Sequence, residues 1–284
     1  MKTVLLHQLI KFHKCNMEFS GLFVDQKNVT TPLTLTSKAL PAKIPSSLQF
    51  VSMHQTRTKC VTVDHHSITG DILLGCTDGI KFYSRNSGEV RHVTDHVRAK
   101  VVVEYMGEVF MSLHHNKTVL KVIKYDTVTK TIEFLFSFPM KSTAVSFLSV
   151  TDHFIVTTDK DNQTIKLYDR RAGYRAGANT LTTLTLPEYH IITNLKLLTD
   201  DTLFVIGWDT ANTHKLNKYR FIRDRLHLIW SCRDVPDKPA GIAVDDRGRI
   251  FVSGCETKTI YVLSDEGEIV LILISIHSRS GHVF

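Results

Sequence analysis

Two adjacent acid pairs, Asp200-Asp201 and Asp245-Asp246, are the first residues in this chain whose type and spacing fit chemistry. Paired carboxylates can hold a hard cation such as calcium, because such ions take several oxygen ligands. Both pairs fall at the same point of a local pattern, in a polar turn between two β-rich runs. Turn aspartates bond their own backbone a residue or two on, so a pair that recurs with the pattern fits turn formation. A catalytic site would break the recurrence. Fifteen histidines invite a metal reading. His65-His66 and His114-His115 are adjacent, so in extended chain their rings point to opposite faces, and no H-E-x-x-H spacing occurs. The five cysteines, Cys15, Cys60, Cys76, Cys232 and Cys255, contain no C-x-x-C pair, so paired zinc-ligand spacing is absent. No G-x-S-x-G elbow presents a serine nucleophile. Gly173 and Gly177 in RAGYRAG lack the Lys-Ser/Thr ending of a phosphate loop. No catalytic residue, metal or cofactor is assigned.

The basic residues carry more. Formal net charge is +7 and the pI is about 9.1. Lys215, Lys218, Arg220, Arg223 and Arg225 are opposed only by Asp224 within their own stretch. On a strand, Lys218 and Arg220 share one face while Tyr219 and Phe221 share the other. Arg170, Arg171 and Arg175 cluster on the preceding hairpin. If the two hairpins are neighbours, these eight cations form a basic rim. Such a rim with nearby aromatics can hold a nucleic-acid backbone and stack bases. It equally serves as a solvated edge that discourages sheets from aggregating.

The elements that position these residues are short strands. Residues 238–273 run KPAGIAVDDRGRIFVSGCETKTIYVLSDEGEIVLIL. Ile242-Ala243-Val244, Arg249 to Ser253, Thr259 to Leu263 and Glu268 to Leu273 are β-rich. The turns Asp245 to Gly248 and Ser264 to Gly267 and the polar break at 254–258 separate them. Four strands in so little chain make one blade of a propeller, and a lone blade cannot bury both faces, so copies are required. Copies occur at residues 72–93, 109–138, 153–169 and 202–231. Their third strands read Ile80-Lys81-Phe82-Tyr83, Val122-Ile123-Lys124-Tyr125 and Ile165-Lys166-Leu167-Tyr168, and the tyrosines recur 42 and 43 residues apart. Tyr219 and Leu263 continue the series less regularly. A period in the low forties is that of a four-stranded blade. Expected first strands are Val61 to Val63, Val101 to Val103, Ala144 to Phe147, Leu195 to Leu198 and Ile242 to Val244. These are mainly Val, Leu, Ile and Ala, which argues against a carboxylate site in the channel. The fold class is all-β: a β-propeller of four-stranded blades, five to six in number.

Pro239-x-Gly241-Ile242-Ala243-Val244-Asp245-x-x-Gly248-x-Ile250-Phe251-Val252, followed by Ile260-x-Val262-Leu263-x-x-x-Gly267, resembles an NHL repeat. Residues 228–273, with Ile229 to Asp234 leading in, resemble the propeller of invertebrate tripartite-motif (TRIM-NHL-like) proteins. Thr56 to Cys60 also looks like them. The resemblance is good over one blade and loose over residues 47–237. It implies a non-enzymatic scaffold that recognises a protein partner through its loop faces. Some NHL propellers bind structured RNA, so the resemblance also permits an RNA-binding propeller using the basic rim as the alternative. The RING and B-box zinc modules of full tripartite-motif proteins are missing from this sequence, so any ligase activity in relatives resides elsewhere.

Hydrophobic content of 43% and charged content of 22% are ordinary for a globular chain. Residues 1–46 read as an N-terminal extension, 47–276 as the propeller and 277–284 as a tail. Met1 to Cys15 fits a short amphipathic helix. It makes a poor signal peptide, since His7 and Gln8 break its apolar core, and it is too short to span a membrane. Phe19 to Lys27 reads as a strand pair and Pro32 to Pro45 as a loop. Ser47 to Met53 reads as the outer strand of an incomplete blade, completed by the other end of the chain. A six-bladed relative would continue for about one more blade past Leu273, so the sequence reads as a fragment or a shortened copy. Cysteines without paired spacing point to a reducing, cytoplasmic setting. There the N-x-T sequons at Asn28, Asn116 and Asn162 have no role.

Overall fold

The computed structural model describes residues 35–36, 60–65, 71–76, 79–84, 90–95, 99–113, 119–125, 129, 131–139, 147–158, 163–173, 180–222, 225–235, 238–245, 247–254 and 259–274. The expected helix at 1–15, the pair at 19–27 and the strand at 47–53 lie outside them.

The described chain is a β-propeller. Five antiparallel sheets follow one another along the sequence. Blade I comprises Cys60–His65, Ile72–Cys76, Gly79–Tyr83 and Val90–Asp95; blade II comprises Ala99–Tyr105, Glu108–Leu113, Val119–Tyr125 and Ile132–Pro139. Blade III comprises Leu148–Val150, Phe154–Thr158, Thr164–Asp169 and Thr180–Thr185, with a single helical turn, Arg170–Gly173, after its third strand. Blade IV comprises Ile191–Leu197, Thr202–Trp208, His214–Ile222 and Arg225–Cys232; blade V comprises Pro239–Val244, Ile250–Gly254, Thr259–Leu263 and Ile269–Ile274. Each is a meander, inner strand to outer strand. No helix among the described residues is long and apolar enough to cross a membrane.

Blade V holds a fifth strand. Leu35–Thr36 lies antiparallel on its outer strand, Leu35 opposite Leu273 and Thr36 opposite Ile272. An early strand thus joins the last blade, but it comes from the stretch read as a loop and is added to a blade that already has four strands; the expected filling of an incomplete blade by 47–53 lies outside the described residues. In blade III the inner strand also sits further along than expected. Thr151 N–H bonds to Phe154 O across a tight turn at Asp152-His153, and that turn fixes the register.

The core lies between blades. Leu73, Ile80 and Phe82 of blade I meet Val102, Val109 and Met111 of blade II. Val101, Val103 and Phe110 meet Leu148, Val150 and Tyr168 on the far side of blade II. Leu195, Leu197 and Leu203 of blade IV pack on blade III, and Phe204 and Ile206 on blade V. Middle strands are covered on both faces, which is why Ile72–Cys76 and Thr202–Trp208 read as apolar runs instead of alternating. Each large apolar side chain taken from water contributes about 1.5–3 kcal/mol. The repeating tyrosines Tyr83, Tyr125, Tyr168 and Tyr219 are all buried. Tyr125 stacks on Phe82 across the first interface, ring centres 4.3 Å apart.

Candidate functional site

The structure sorts the expected basic rim into two groups. Arg170 opens the helical turn after the third strand of blade III and is buried. Its guanidinium donates to Glu108 Oε2 of blade II at 2.9 Å and lies over the Tyr105 and Phe110 rings, 4.9 and 5.6 Å from their centres. Lys215 is buried within blade IV, donating to Glu188 O with its amine 4.8 Å from the Tyr189 ring centre. Lys218 reaches from blade IV to blade V, where it donates to Asp265 Oδ1 at 2.7 Å. Arg170 and Lys218 thus join neighbouring blades, and Lys215 is held at the edge of its own. Arg171, Arg220 and Arg225 are exposed. Arg175 and Arg223 lie outside the described residues.

Arg220 and Arg225 belong to one hairpin. Ile222 pairs with Arg225 and Arg220 with His227, so all four side chains share a face. Ile222 is 44% exposed. Arg220 Nε stands 3.8 Å from Asp201 Oδ2, and that carboxylate already accepts from Thr199 and Thr202 on its other oxygen.

The outer strand of blade IV then breaks register. Tyr219 lies opposite Leu228 but Lys218 lies opposite Trp230, which leaves Ile229 as an extra residue. The bulge moves alternate side chains to the other face. Leu226 packs towards blade III, whereas Trp230 and Cys232 pack towards blade V. Trp230 Nε1 donates to Asp265 O at 2.8 Å. Leu228 and Ile229 are left 53% and 48% exposed.

Of the acid pairs, Asp200, Asp201 and Asp245 are turn and joint residues, and Asp246 lies outside the described residues. Asp245 Oδ1 accepts from the N–H groups of Arg247 and Arg249, and its other oxygen accepts from the Arg249 side chain. Gly248 takes φ +78 as that turn requires. Asp200 joins blades III and IV: Thr151 Oγ1 donates to it at 2.6 Å, and His153 meets it through both N–H and Nδ1. Burial pushes the Asp200 carboxyl up, but the bonds from Thr151 and His153 outweigh it and hold the pKa below the ordinary aspartate value. Ser149 works at the same joint, accepting from Leu197 N–H at 2.9 Å. Asp64 repeats this between blades I and II, accepting from Glu104 N–H at 2.9 Å.

The inner strands are less uniformly apolar than the sequence reading had them. Asp64 and Glu104 are buried near the channel, and both exert a charge on Lys196 of blade IV. Burial lowers the Lys196 amine pKa against the pull of those two carboxylates. Asp64 and Lys196 are each the single charged residue of an apolar inner strand, and Glu104 follows the apolar run Val101 to Val103; that contrast was the available signal. Glu104 Oε1 itself accepts from Gly107 N–H at 2.6 Å. Among the described residues, no group of three or more His, Cys, Asp or Glu is placed to hold a metal.

No family model matches the chain, and no curated protein matches it. Solved structures do. The N-terminal domain of Nup159 is 12% identical, with a TM-score of 0.52 over 82% of this chain and 69% of that one. A functionally unknown protein from Desulfotomaculum acetoxidans DSM 771 is 11% identical, with a TM-score of 0.57 over 82% of this chain and 77% of that one. At such identity the likeness establishes the fold, a β-propeller, and nothing finer.

Proposed function

We propose that this propeller is a non-enzymatic interaction scaffold that binds a protein partner, in the manner implied by its resemblance to TRIM-NHL-like propellers. The observation that carries the reading is the placement of its exposed apolar side chains. Ile132 and Phe134 stand on the outer strand of blade II, and Ile222, Leu228 and Ile229 on the outer hairpin of blade IV. Apolar surface left at the periphery of an otherwise well-filled ring marks a contact surface. Asp200, Asp201 and Asp245 bond within turns and joints. The setting we assign is the cytoplasm, on the cysteine pattern of the sequence.

The experiment is partner capture on the immobilised full chain, compared with a variant carrying Phe134→Asp and Leu228→Asp. A protein retained by the parent and lost from the variant supports the scaffold; an identical set from both overturns it. Hairpin and single-stranded RNA run over a salt series decide the alternative. Submicromolar binding with a steep negative salt slope, lost on Arg171→Glu with Arg220→Glu, would make the basic rim an RNA site.

A further inference from the structure

The outer strands of the blades are sheet edges, and the chain treats them differently. The outer strand of blade V, Ile-Val-Leu-Ile-Leu-Ile, is wholly apolar and is covered by Leu35–Thr36. The outer strand of blade III is Thr-Leu-Thr-Thr-Leu-Thr, a polar edge that draws no partner from an apolar chain. The outer strand of blade II places Glu133 opposite Lys124, so its charge is balanced locally. That strand is apolar as well, with Ile132 and Phe134 exposed, so what sets blade IV apart is the run of cations on its apolar edge hairpin. Its outer strand carries Leu226, Leu228, Ile229 and Trp230, yet it ends its sheet with no further strand beside it among the described residues.

An unpaired edge offers a row of backbone donors and acceptors to another extended chain. Blade V shows this propeller accepting such a chain at the equivalent edge, over only two residues. The charge on blade IV selects what kind of chain. Arg220, Arg225 and His227 share one face with the exposed Ile222, while Leu228, opposite Tyr219, offers apolar contact on the other face and Ile229 at the bulge. The bulge at Ile229 sets the limit, because it divides the strand into two short regular runs, Arg225 to Leu228 and Trp230 to Cys232, and the exposed cations lie on the first. The added strand is therefore short.

We propose that the outer edge of blade IV, Arg225 to Leu228, takes up a short extended segment of a partner protein as an added strand, and that this segment is acidic with interspersed apolar residues. The inference rests on the scaffold reading and names its ligand. Backbone pairing supplies affinity, the arginines select carboxylates, and Leu228 and Ile229 select apolar side chains.

The test is selection of random linear peptides displayed on phage against the full chain, followed by binding of the enriched peptides to two variants. Enriched peptides should be rich in Asp and Glu alternating with apolar residues. Arg220→Glu with Arg225→Glu should weaken them about tenfold or more, and more at low salt. Leu228→Lys with Ile229→Lys should abolish binding. All four side chains are exposed, so unchanged circular dichroism and melting temperature certify folding. Bound peptide should also slow amide exchange in residues 225–228, which a contact made by side chains alone leaves unmoved. Enriched peptides that bind both variants as well as the parent overturn the edge proposal and leave the scaffold reading standing. No enrichment, alongside successful partner capture, does the same. Failure of both selection and capture removes both.

Discussion

Arg170 is where the structural and the ligand-binding accounts of the basic rim part most sharply. Its substitution by alanine removes an ion pair whose members are nearly enclosed, with side-chain exposures of 11% for Arg170 and 18% for Glu108. The change would leave Glu108 short of its cation and strip a guanidinium from between Tyr105 and Phe110. Breaking a fully buried pair from one side costs about 3–5 kcal/mol. The residual exposure here reduces that to about 2–4 kcal/mol, with the aromatic contacts included. For a protein of this size that is a fall in melting temperature of roughly 5–12 °C. Arg170→Lys keeps the charge but loses the planar fork and the stacking, so it should fall between the two. Thermal unfolding followed by circular dichroism reads the effect, with Glu108→Gln and the double variant closing a cycle. The coupling should be at least about 1 kcal/mol. A melting temperature within about 1 °C of the parent, with no coupling to Glu108, would refute the reasoning and return Arg170 to the solvent-facing rim.

The joint at Asp200 gives stability a pH dependence of defined sign. Its folded pKa is depressed, so its contribution is complete above the unfolded value of about 3.9 and is lost as pH falls through the folded one. Denaturant midpoints should hold steady at neutral pH and drop below about pH 4. Asp200→Asn should lower the neutral plateau and flatten the acid limb. Gly267→Ala should destabilise the joint between blades IV and V. Gly267 has φ +86, and a Cβ there would stand 2.8 Å from Trp230 Cε3. The backbone strain alone costs about 1–2 kcal/mol, and displacement of Trp230 should shift the tryptophan emission, with Trp208 as the other contributor.

The blades were legible because each repeats the same demand. The third-strand tyrosines at 83, 125 and 168 announced the period, and all three are buried as the repeat requires. The fate of the cations was not legible from local sequence. Arg171 and Arg170 are neighbours with the same charge, yet one is exposed and the other is paired with a glutamate 62 residues earlier. Lys218 finds Asp265 at a separation of 47, and His153 finds Asp200 at 47. The last two separations are close to one blade, so searching one period away from each charge would have found them, whereas the Arg170 partner lies further back. The bulge at Ile229 left no sequence signal either. Unbroken alternation of Leu226, Leu228 and Trp230 predicts one shared face, and the competing demands of two neighbouring blades decide otherwise.

The pairing of Leu35–Thr36 with the far end of the chain also governs the order in which the molecule can be made. Blades I to V each close from contiguous chain, by hairpins that form fast once their residues leave the ribosome. The seam cannot. Its two halves are separated by almost the whole polypeptide, so residues 35–36 must wait through the synthesis of every blade before their partner exists. Closing so long a loop is entropically costly for two residues of pairing. The seam is thus the last contact formed and the first to be lost.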